Sequence, residues 1–140
     1  MHGNIRYSRL DKFDPAEIHE FMNWASGRYA RAHLLISDGI IFNVRSLSGF
    51  DLEIAIQRVL NPHQLQNILI SGDSDPYFIT VMSDVASSWS LEIAESIYEV
   101  MRMKAYSLGC YIFFFVFGKP WIYEYMFTGY PRTPVSDFEG

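Results

Sequence analysis

His33 and Cys110 are the two side chains whose types could make a nucleophile and its base. Such a pair needs only spatial proximity, because an imidazole that takes the thiol proton leaves a thiolate behind. His33 lies in an apolar run at 32–36 and Cys110 opens a second at 110–117, so one sheet could bring them together. Glu124 and Asp84 are the carboxylates that could join them. On an apolar face, desolvation would raise the pKa of Glu124 and suit it to general acid or base work. Asp84 lies just past the apolar run 77–82, although a residue between a strand and a helix is also polar for capping reasons. A small hydrolase or transferase using His33 with Cys110, Glu124 or Asp84 is therefore one expectation. The plainer account makes Cys110 a buried small hydrophobe with a raised pKa, and Glu124 a solvated or Arg-paired acid.

The segment 24–45 resembles the permuted papain-like peptidases and amidases. Those families place a Tyr-x-His strand before an Asp-Gly turn and a second strand. Here Tyr29-Ala30-Arg31-Ala32-His33-Leu34-Leu35-Ile36-Ser37-Asp38-Gly39 fits that frame. Arg31 stands at the family's histidine position, and His33 follows two residues later on the same face. The resemblance implies a Cys–His nucleophile pair, but Cys110 opens an apolar strand where the family places its cysteine at a helix start. Asp73 and Asp75 in Gly-Asp-Ser-Asp-Pro could offer oxygens to a hard cation, yet turn preferences explain the same residues and the EF-hand pattern is incomplete. Gly-rich phosphate loops are absent. No metal and no cofactor is expected.

A second expectation is a protein-binding module that acts by occluding a partner's surface, as an inhibitor, immunity, anti-defence or adaptor protein does. Aromatics are abundant, with 11 Phe, 9 Tyr and 3 Trp. Gly118-Lys119 suits a tight hairpin turn between 110–117 and 120–127. That hairpin would place Ile112, Phe114, Val116, Trp121, Tyr123 and Tyr125 on one face, with Phe113, Phe115, Phe117 and Ile122 on the other. Trp121, Tyr123 and Tyr125 would anchor the partner, with Arg31, Arg45 and Glu124 as pairing charges, since hot spots favour Trp, Tyr and Arg. The same rings could equally pack beneath a helix.

Positioning these residues requires the following elements. Asp14-Pro15-Ala16-Glu17 starts a helix, with an N-cap, a proline at the first position and a capping-box acid. Asp38-Gly39 between apolar runs predicts a hairpin. Ser48 to Asp51 predicts a capping box for a helix over 52–60, stopped by Asn61-Pro62. Residues 67–71 and 77–82 predict another hairpin, and 91–108 the longest helix, with Ala94, Ile97, Tyr98, Met101, Ala105 and Leu108 inside. The sum is an α+β domain over 1–128: an antiparallel sheet of about six strands built from hairpins, with amphipathic helices packed on it. Residues 129–140 read as an irregular tail.

A formal charge of −5 and only a small basic spot at Arg28 and Arg31 argue against phosphate-neutralising nucleic-acid binding. One cysteine excludes an internal disulfide framework and points to a reducing compartment, hence the cytoplasm. The longest apolar run, 108–117, falls short of the ~20 residues a membrane helix needs. The expected partner is a protein, with a homodimer as one form.

Overall fold

The computed structural model describes residues 4–127; the expected tail at 129–140 lies outside them. Helices and strands are mixed, as expected, but the sheet is not antiparallel. Among the described residues the strands are five, all parallel: β1 Ile5–Leu10, β2 Arg31–Ser37, β3 Glu53–Val59, β4 Tyr77–Met82 and β5 Ile112–Phe117. Their order is β1-β5-β4-β2-β3. The described residues hold four helices, α1 Pro15–Ala25, α2 Pro62–Ser71, α3 Ser83–Ser87 and α4 Leu91–Ser107, against three expected.

The reason lies in the strands themselves. Leu34, Leu35 and Ile36, residues 77–81 and residues 112–117 are buried without alternation. Strands apolar on both faces need cover on both, and parallel strands linked by helical crossovers supply it. One face packs α1 (Ile18, Phe21, Met22) on Leu34, Ile36, Phe78, Phe113, Phe115 and Phe117. The other packs α2 and α4 (Leu65, Leu69, Ile97, Met101) on Leu35, Tyr77, Ile79, Ile112, Phe114 and Val116.

From β1 the chain crosses by α1 to β2 and then to β3, moving one way on the α1 face. It returns by α2 to β4, and by α3 and α4 to β5, on the opposite face. Direction and face reverse together, so the crossovers share one hand, as strand twist demands.

Each expected hairpin is thereby corrected. Gly39 (φ 88°) and Gly118 (φ 114°) do turn the chain through conformations that favour glycine, but neither leads into an antiparallel return. After Asp38-Gly39 the chain passes a short 3-10 turn, Val44–Leu47, and enters β3 parallel to β2. After Gly118 it forms a second 3-10 turn, Glu124–Phe127, so the aromatic ribbon does not exist. The expected helix at 52–60 is β3, and the expected strand at 67–71 is the second half of α2. Asn61 and Pro62 begin a helix here instead of ending one: the Asn61 side chain accepts from the Gln64 N–H at 2.8 Å, and Pro62 takes the first helical position. The Asp14 cap of α1 forms as read from the sequence, and in the structure the Ser90 side chain caps α4 by accepting from the Ile93 N–H.

Candidate functional site

A parallel sheet gathers all strand starts at one end. His33, Tyr77, Ile112 and Ile5 lie in register there. The His33 ring stacks on Tyr77 with centroids 4.3 Å apart, and its Nε2 is 2.8 Å from Asp73 Oδ1. Asp73 belongs to the turn between α2 and β4. Its second oxygen is 3.6 Å from Arg31, which also pairs with Glu53 at 3.3 Å. From α4, the buried Lys104 Nζ donates to the Gly72 and Asp73 carbonyls at 3.2 and 2.8 Å, and the Tyr77 hydroxyl donates to the Asp73 carbonyl as well. Gly72 admits no side chain: a Cβ would strike the Tyr77 hydroxyl and come within 2.7 Å of the Ile68 carbonyl.

The electrostatics follow from these contacts. Burial alone would raise the Asp73 pKa, but the His33 hydrogen bond, the Asp75 N–H and nearby positive charge hold it below its ordinary value. Burial and the neighbouring Asp73 carboxylate raise Asp75. Burial pushes the Cys110 thiol up to about 12, and its Sγ donates to the Asp75 carbonyl at 3.3 Å. The thiol therefore stays protonated at neutral pH, as in a core cysteine. We expect a thiol reagent at pH 8 to label Cys110 only after unfolding in denaturant. Stoichiometric labelling of the native protein within minutes would show that the thiol is open and active.

A ring nitrogen of His33 and one carboxylate oxygen each of Asp73 and Asp75 lie within 4.8 Å of one another, a spacing a cation could bridge. Arg31 and Lys104 bring positive groups to the same turn, and the polar atoms there largely satisfy one another. The arrangement clamps the α2–β4 turn to the sheet.

The other sequence candidates stand elsewhere. Glu124 does not face Phe113. It accepts from the Tyr7 hydroxyl at 2.9 Å and lies 3.6 Å from Arg9, the Arg pairing that was one expectation for it. Trp121 is only 4% exposed, packed edge-on against Trp89 and Phe114, with its indole N–H donating to Tyr7 at 3.1 Å. Tyr123 is partly buried against it, whereas Tyr125 is 60% exposed. Asp84 is exposed in the first turn of α3, beyond the carboxyl end of β4, and Arg45 is exposed in the β2–β3 connection. His33 and Cys110 thus share one end of the sheet, each bonded to a different part of the 72–76 turn, while Glu124 and Asp84 belong to other regions. Sequence reasoning missed Lys104 and Tyr77. Lys104 carried a signal: it falls seven residues after Ile97 and three after Met101, on the apolar stripe itself.

No protein-family model matches this chain, and no curated protein matches it either. Among the described residues, no helix is long and apolar enough to cross a membrane.

The remaining feature is an open edge. β3 pairs only with β2 among the described strands. The Glu53 N–H donates to the Ala30 carbonyl, and the Val59 carbonyl accepts from Asp38, so odd-numbered residues of β3 turn their backbone groups toward β2. By alternation Ile54, Ile56 and Arg58 direct theirs outward. No described backbone group meets them there. Ile56 is 39% exposed and Leu60, just beyond the strand, 65%. The Arg58 guanidinium folds back onto the Ser37 and Ile40 carbonyls and leaves the edge uncrossed.

Proposed function

We propose that the chain is a protein-binding module that works by occupying a partner's surface, and that the partner lays an extended segment along β3. The observation that carries this is the row of outward N–H and C=O groups at Ile54, Ile56 and Arg58. Such an edge is a ready template for another strand: main-chain hydrogen bonds give affinity and alternate side chains give selectivity. Trp121 lends no surface to this contact, because its ring is in the core. Docking needs no cofactor and no metal. The single unpaired thiol supports a reducing, cytoplasmic setting.

Two proline variants test the edge. Ile56→Pro deletes an outward N–H and leaves the β2 ladder whole, a placement edge strands tolerate. Ala55→Pro deletes an inward ladder bond to β2 and should destabilise the fold. We expect Ile56→Pro to stay folded and to weaken binding of a partner captured from the native host at least tenfold. A captured partner that binds Ile56→Pro as tightly as the parent protein overturns the reading.

A further inference from the structure

We infer that the strand seated on β3 is the β3 of a second copy, antiparallel and related by a twofold axis through Ile56. This rests on the open-edge reading above and deepens it by naming the partner. A twofold contact is isologous, so the edge must complement itself. β3 runs from Glu53 to Val59, and its midpoint is Ile56, a residue that faces outward. Turned about that midpoint, the strand overlaps its copy along its whole length. Ile56 then faces Ile56 of the partner subunit, and Ile54 faces Arg58 of the partner subunit, each pair exchanging two hydrogen bonds. A slip of one residue sets outward groups against inward ones. A slip of two pushes one pair beyond the strand, so the centred register is selected.

The side chains agree with that register. Ile54 and Ile56 of each copy share the α1 face and make a continuous apolar seam, which covers the exposed Ile56 side chain. On the other face Glu53 meets Val59 of the partner subunit, and Ala55 meets Gln57 of the partner subunit. β3 carries one acid, Glu53, and one base, Arg58, so the seam has no net charge although each chain carries −5. No like charges lie opposite one another. The result joins two five-stranded sheets into one.

Mass measurement by light scattering and sedimentation over a concentration series tests this in the full chain. The parent protein is expected at twice the 16.2 kDa chain mass, dissociating on dilution. Ile56→Lys and Ile56→Glu each place like charges on the axis and are expected to be monomeric; mixed together they should restore the dimer, because the axis pairs position 56 with itself. A monomeric parent protein throughout the micromolar range overturns the second copy. So does a dimer that both charged variants retain. If the parent is monomeric but a host partner is still lost with Ile56→Pro, the second copy fails and the open edge stands. If both dimer and host partner ignore Ile56→Pro, the edge reading fails too.

Discussion

Trp121→Ala is expected to lower the free energy of unfolding by about 3–5 kcal/mol, the cost of removing a large buried aromatic. The indole is 4% exposed and meets Trp89, Phe114, Tyr123 and Phe127 edge-on or tilted. Its truncation opens a cavity in the core on the α2 and α4 face. It also deletes the N–H that donates to Tyr7, so the link from Trp121 through Tyr7 to Glu124 and Arg9 loses its first member. That link ties the Glu124–Phe127 turn to β1, and loosening it should expose Phe127 as well. Urea unfolding followed by far-ultraviolet circular dichroism measures the effect. Tyr125→Ala, at an exposed position, is the control and should stay within about 0.5 kcal/mol of the parent. Equal stability of Trp121→Ala and the parent would mean that the ring is not in the core.

Lys104→Met should cost about 2–3 kcal/mol. Methionine keeps most of the volume and stem, so the loss is mainly polar. The Gly72 and Asp73 carbonyls lose a charged donor, and a buried acceptor left short of partners costs ~1–3 kcal/mol. The Tyr77 hydroxyl still reaches the Asp73 carbonyl, which limits the damage on that side. The lost contact over the Tyr77 ring, 5.2 Å from Nζ, adds a smaller share. Because the turn also carries the Asp73 carboxylate, the imidazole resonances of His33 should shift in the NMR spectrum of the folded variant. A stability change below about 0.5 kcal/mol with unmoved His33 resonances would show that Lys104 does not hold the turn.

How much of this was readable depends on the element. The cap at Asp14 acts locally, within one turn of the residue that makes it, and so survives translation from sequence to structure. Strands β2, β4 and β5 announced themselves as apolar runs. Their direction did not, because Asp38-Gly39 and Gly118-Lys119 specify that the chain turns and leave open where it goes next. The decisive clue was the lack of alternation in 34–36, 77–81 and 112–117, which a sheet covered on one face only would not need. β3 misled for a physical reason. Leu52, Ala55, Ile56, Val59 and Leu60 have helical spacing, but pairing with β2 outweighed that pattern. Asn61-Pro62 fits the end of one helix and the start of another equally well, and only tertiary context decides. Around the polar cluster, His33 was placed on its strand correctly. Its partner Asp73 lies 40 positions away, beyond the reach of any local signal.

The most direct test of the open edge is residue-resolved amide hydrogen exchange across β3, first at high dilution and then with the docked strand in place. In the diluted protein, Ile54, Ile56 and Arg58 amides should exchange much faster than those of Ala55, Gln57 and Val59, which are bonded to β2. On docking, the three fast amides should become slow while the other three barely change. Outward amides already slow at dilution, or fast ones untouched by docking, would contradict the account.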